Sequence, residues 1–101
     1  MIAMFVKFDV SSNPSVIDRS NPPVSYPRYK KLPGLGYKAY MSDRSRGVVG
    51  GIYFWENREA MDRYLSEGGL ARAESMFGVK PTIETFEVSA FMKGIGTLKV
   101  D

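Results

Sequence analysis

Residues 31–65 read KLPGLGYKAYMSDRSRGVVGGIYFWENREAMDRYL. Two runs of alternating apolar residues flank the polar connection Asp43-Arg44-Ser45-Arg46-Gly47, which predicts an antiparallel hairpin. In the first run, 35–42, Leu35, Tyr37, Ala39 and Met41 alternate with Gly36, Lys38, Tyr40 and Ser42. In the second, 48–55, Val49, Gly51, Tyr53 and Trp55 face one way and Val48, Gly50, Ile52 and Phe54 the other. A glycine pair inside a strand marks a bulge or a close approach to the backbone. A helix follows, with Asn57 as its N-cap and Glu59 in its first turn. Its apolar stripe is Ala60, Met61, Tyr64 and Leu65, and Gly68-Gly69 ends it.

Outward from this unit, residues 1–10 alternate Ile2, Met4, Val6, Phe8 and Val10 against Ala3, Phe5, Lys7 and Asp9, the period of a strand. Residues 11–34 resist assignment. Ser12-Asn13-Pro14 resembles a helix start, but Pro22, Pro23, Pro27 and Pro33 oppose its continuation. The expectation is a short or broken helix near 14–20, then an irregular or briefly helical passage through 26–31. Beyond the central helix, 70–77 is a short helical piece closed by Gly78, and 81–91 is a β-rich last strand. Residues 92–101 form a glycine-containing C-terminal tail without a predicted element. The order is βαββαβ, an α+β ferredoxin-like sandwich with a four-stranded antiparallel sheet in one domain over 1–101. Apolar residues on both strand faces point to self-association.

The chain has no cysteine and no histidine. That excludes disulfides, thiolate sites, cysteine nucleophiles, ordinary serine triads and histidine-based zinc or iron centres. No run is long enough to span a membrane, and the start lacks the features of a secretory signal, so a cytoplasmic location is expected. Residues 19–46 carry seven cations against the single acid Asp43, a bias suited to an anionic ligand or to an exposed loop region. Nucleic acid is not the expected partner. Residues 46–53 resemble the central-strand motif of an RNA-recognition module, but Val48 and Gly50 stand where stacking aromatics are required.

Pro33-Gly34-Leu35, Tyr37-Lys38, Gly50 to Tyr53, Trp55, the helical Tyr64-Leu65 and Phe86-Glu87-Val88 together resemble a mono-oxygenase family of small dimeric α+β barrel proteins. These are relatives of the antibiotic-biosynthesis mono-oxygenases. The resemblance spans roughly residues 33–90; five prolines between 14 and 33 depart from the longer helix usual in the family. It implies a homodimer whose sheets close into a barrel, with a small-molecule cavity between sheet and helices. It also implies oxygenation of a small aromatic or conjugated substrate without metal, flavin or other cofactor. A non-catalytic ligand-binding or structural dimer, and an isomerase or lyase of the same superfamily, are the alternatives.

Tyr37, Tyr53 and Trp55 are the first substrate-binding candidates, because their rings give flat apolar walls and their polar tips can orient a ligand. Lys38 and Arg28 are the candidates for stabilising a substrate anion, with Tyr26 and Tyr29 completing a lid. Core aromatics and solvated cations are the competing readings of the same residues. Tyr40 falls on the opposite face from Tyr37 by alternation. Asp18 and Arg19 read as a surface pair of small worth. No catalytic proton acceptor is identified.

Overall fold

The four strands assemble as one antiparallel sheet in the order β2-β3-β1-β4. β1 is Ile2–Asp9, β2 Leu35–Asp43, β3 Val48–Trp55 and β4 Thr82–Glu87. A 3₁₀ helix at Pro14–Ser20 and the four-residue α1 at Tyr26–Tyr29 follow β1; α2 at Arg58–Ser66 and α3 at Ala71–Phe77 follow β3. The computed structural model describes residues 1–20 and 26–98, without the side chains of Arg19, Ser20 and Tyr26. The fold is ferredoxin-like α+β. Pro14 sets the start of the helix over 14–20, which takes the tighter 3₁₀ form.

Registers separate the two sheet faces. On the helix-covered face, Ile2, Met4, Val6 and Phe8 pair with Trp55, Tyr53, Gly51 and Val49. These residues, with Val16, Ile17, Tyr29, Met61, Tyr64 and Leu70, make the core. Lys38 and Tyr40 of β2 oppose Tyr53 and Gly51, so both lie on this inner face. The register shifts between Leu35 and Tyr37, so Leu35 opposes Trp55 while Tyr37 opposes Phe54. Unbroken alternation would keep Leu35 and Tyr37 together. The bulge at Gly36 divides them, and leaves Leu35 packed against the core.

Gly50 is a site of close backbone approach. A Cβ there would collide with the carbonyl oxygen of Val6, on the adjacent central strand. Gly34 has φ +82°, and a Cβ there would strike Ala60 on α2. Its carbonyl accepts the Glu56 N–H at 2.8 Å, tying the start of β2 to the end of β3.

Asn57 caps α2, its side-chain oxygen accepting the Ala60 N–H at 2.9 Å. Met61 and Tyr64 are buried, with Ala60 and Leu65 packed beside them. Asn57→Ala is expected to destabilise the protein by about 1 kcal/mol, read from a denaturant midpoint. β4 is shorter than the 81–91 expected. It pairs with β1, where Glu87 already faces Ile2, and a Val88 N–H bond to the Met1 carbonyl closes the ladder.

The outer sheet face is apolar as well. Phe5 meets Phe86 edge-on at 5.7 Å. Phe91, beyond β4, stacks on Tyr37 at 5.9 Å and meets Phe54 edge-on at 5.3 Å. Met92, Ile95 and Leu98 are exposed along the segment that follows. No helix among the described residues is long and apolar enough to cross a membrane.

Candidate functional site

A cavity of about 430 Å³ lies between the inner sheet face and the helical layer. Val6 and Phe8 of β1, Val49, Gly51 and Tyr53 of β3, and Lys38 and Tyr40 of β2 line its sheet side. Ile17 and Asp18 of the 3₁₀ helix, Tyr29 of α1, and Ala73, Met76 and Phe77 of α3 close the other side. Asp18 is ion-paired with Arg44, which also lines the cavity, so the β2–β3 hairpin is tied to the 3₁₀ helix. Asp18 therefore has a partner other than the neighbouring Arg19 of the sequence reading. A second depression, about 390 Å³ beside α3 and lined by Ala71, Glu74, Ser75, Gly78, Val79 and Lys80, carries no aromatic wall.

Lys38 is the centre of the first cavity's chemistry. Strand alternation turns it inward, and its Nζ lies 3.3 Å from the Tyr29 ring centroid, 4.3 Å from that of Tyr40 and 4.6 Å from that of Tyr53. Three ring faces favour an ammonium there. No carboxylate among the described residues forms an ion pair with it. Burial lowers its pKa to about 8, against the attraction of Tyr29 and with added repulsion from Arg28. Gly51 leaves room for this side chain, since a Cβ there would lie 3.3 Å from Lys38 Cε and 3.1 Å from the Ala39 carbonyl oxygen.

Behind the cage is a three-tyrosine hub. The Tyr64 hydroxyl donates to the Gly69 carbonyl at 2.9 Å. Its oxygen is also hydrogen-bonded with the Tyr29 hydroxyl at 2.7 Å and with the Tyr53 hydroxyl at 3.3 Å. Arg28 donates to the Tyr29 hydroxyl at 3.4 Å and lies over the same ring, 5.1 Å from its centroid. Burial pushes the Tyr29 phenol up, but the hydrogen bond with Tyr64, the Lys38 charge, Tyr53 and Arg28 outweigh it, so the net shift is downward. Burial raises Tyr53, reinforced by the neighbouring phenols Tyr64 and Tyr29. Burial also raises Tyr64, reinforced by its hydrogen bond with Tyr29. Tyr29 is thus the phenol of the three most ready to ionise.

Tyr64→Phe removes the hydroxyl that donates to Gly69 and bonds with Tyr29 and Tyr53. A loss of about 1–3 kcal/mol is expected, measured by thermal melting.

Lys38 and Tyr53 come together at the cavity, and Arg28 reaches it through Tyr29. Trp55 does not line it; its ring is fully buried, stacked on Tyr53 at 5.9 Å. The Trp55 Nε1–H has no hydrogen-bond partner among the described residues. Tyr37 lies on the outer sheet face, half exposed, against Phe91. The side chain of Tyr26, assigned to a lid from sequence, lies outside the described residues. Tyr40 and Tyr64, absent from the sequence candidates, complete the cage and the hub. Tyr40 was discoverable, because a strand places residues 38 and 40 on one face.

No family model matches the chain, and no curated protein matches it. Solved structures do. A point mutant of SnoaB, a cofactor-independent oxygenase from Streptomyces nogalater, aligns at TM-score 0.67 and 16% identity, over 92% of this chain and 97% of that one. A point mutant of MhuD with two manganese protoporphyrin IX bound per active site aligns at TM-score 0.66 and 14% identity, over 93% and 100%. The ActVA-Orf6 mono-oxygenase of Streptomyces coelicolor, in complex with nanaomycin D, aligns at TM-score 0.62 and 12% identity, over 92% of each chain. The chain shares its ferredoxin-like α+β fold with these proteins.

Proposed function

We propose that the protein is a cytoplasmic homodimer that binds a small phenolic or conjugated aromatic molecule and oxygenates it with molecular oxygen, without a cofactor. The observation that carries this reading is Lys38, a largely buried cation with no carboxylate partner among the described residues, in the wall of an aromatic cavity. Such a cation is completed by a ligand that brings the negative charge. A phenolate does so while its ring packs against Tyr40, Tyr53 and Phe77. A deprotonated, electron-rich ring reduces oxygen directly, so the protein's part is to hold the anion, orient it and exclude water. Lys38 supplies the charge, and Arg28 supports it through Tyr29. The amine form of Lys38 is the group placed to take the phenol's proton, becoming the counter-ion of the anion it forms. The oxygenases among the fold's relatives support the chemistry. The apolar outer face, with Tyr37, Phe54, Phe86 and Phe91, supports the homodimer.

The test is oxygen uptake with a series of naphthols and hydroxylated tricyclic aromatics, in chelator-treated buffer without flavin. Uptake in step with product, lost in Lys38→Met, is the expected result. Tight binding with no oxygen uptake by any ligand would overturn the oxygenase reading and leave a ligand-binding protein.

A further inference from the structure

We propose that Lys38 is also an amine nucleophile, capturing aromatic aldehydes or ketones that enter the cavity as imines. This activity needs the cavity but not oxygen, and goes beyond the oxygenase reading. Three features of the geometry converge on it. The Nζ lies in the wall of a cavity large enough for a fused-ring carbonyl compound. It has no carboxylate among the described residues to hold it as a permanent ammonium; Asp18, the acid that lines the cavity, is engaged by Arg44. Gly51 leaves the strand floor open beside its Cε.

The groups facing this amine are Tyr29 and Arg28 from α1, Tyr40 from its own strand and Tyr53 from β3, with Tyr64 of α2 one hydrogen bond behind. None is a carboxylate. Burial disfavours the charged form and places its titration near pH 8, so a useful fraction is neutral amine in mildly alkaline solution. The amine nitrogen attacks the carbonyl carbon, the C–N bond forms as the C=O π pair moves to oxygen, and one of the nitrogen's two protons passes to that oxygen to give a neutral carbinolamine. The C–O bond then breaks and the hydroxyl leaves as water, its proton delivered by the Tyr29 phenol, which is re-protonated by the nitrogen's departing proton. One carbonyl and one amine become one imine and one water, with no change of oxidation state. The hydrogen-bonded hub of Tyr29 and Tyr64 is placed to move that proton.

The experiment incubates the intact protein at pH 8 with sub-stoichiometric 2-hydroxy-1-naphthaldehyde and sodium cyanoborohydride, then maps the reduced adduct by peptide mass spectrometry. Lys38 is expected to be labelled at least tenfold faster than any other lysine, with Lys80 as the exposed reference. Denaturing the protein before labelling should abolish that preference. Adduct spread evenly over Lys7, Lys30, Lys31 and Lys80, with Lys38 no faster, would overturn the proposal. The wild-type map decides the matter alone; a folded Lys38→Arg variant should lack the fast site. Oxygen uptake with naphthols is read separately, so failure of one activity is distinguishable from failure of the other.

Discussion

Lys38→Met is expected to raise the melting temperature of the protein near pH 7 while weakening its hold on a naphtholate by about 10- to 100-fold. Methionine keeps the unbranched stem within the ring cage but removes a charge that burial disfavours. The folded-state pKa near 8 lies below the ordinary value of 10.5, so the folded protein binds this proton less tightly than the unfolded chain. The resulting cost is full below pH 8, diminishes as pH rises from 8 to 10.5, and is absent above. Ring-face attraction offsets part of it, and removing the charge should gain about 1–3 kcal/mol. That corresponds to roughly 4–8 °C per kcal/mol for a domain of this size. The difference between variant and wild type should shrink as pH approaches 10. Near there the raised phenols of Tyr53 and Tyr64 begin to act in both proteins: their stabilising contribution is present below the ordinary tyrosine value of 10.0 and falls as pH climbs past it. Melting curves at pH 7 and pH 9.5, with a ligand titration at pH 7, check both halves. An unchanged or lower melting temperature at pH 7 would show that Lys38 is not buried at a cost.

Gly50→Ala is expected to be the most damaging single methyl addition in the sheet. The new Cβ would meet the Val6 carbonyl oxygen, with the Val6 carbonyl carbon at 2.9 Å and Lys7 Cα at 3.2 Å. These atoms belong to β1, which is hydrogen-bonded on both sides, to β3 and β4. Relief therefore requires the two central strands to separate, at about 3 kcal/mol or more, lowering the melting temperature by roughly 12–24 °C. Gly51→Ala, one residue on, has a different consequence. Its Cβ meets Lys38 Cε at 3.3 Å, the end of a flexible side chain, and the Ala39 carbonyl oxygen at 3.1 Å. It should cost about 1 kcal/mol while displacing the amine and weakening ligand binding. Thermal melts of the two variants, with binding measured on the second, separate a packing role from a site role.

The elements were legible because their signals are local. Alternation gave the strands, Asn57 gave the start of α2, and Gly50 marked a backbone contact that β1 then supplied. Which sheet face lies inside was harder to read, since Tyr37, Ile52 and Phe54 make the outer face as apolar as the inner. Tyr37 and Lys38 were therefore both site candidates, although alternation must send them opposite ways. Trp55 shares a strand face with Tyr53, and sequence alone does not tell a cavity wall from the core layer behind it. Tyr29 was the least visible component. It sits on a four-residue helix in a proline-rich segment, and its contact with Tyr64 spans 35 residues. No local pattern encodes a hydroxyl pair formed across that separation.

The most direct test of the Lys38 cage as a ligand site is an NMR titration of protein labelled with ¹³C at lysine Cε, with and without a naphthol. One lysine signal should lie upfield under the currents of three rings, titrate near pH 8, and move on ligand addition while the others stay still. Lysine signals that all titrate together near the ordinary 10.5, none upfield and none responding to ligand, would contradict the account.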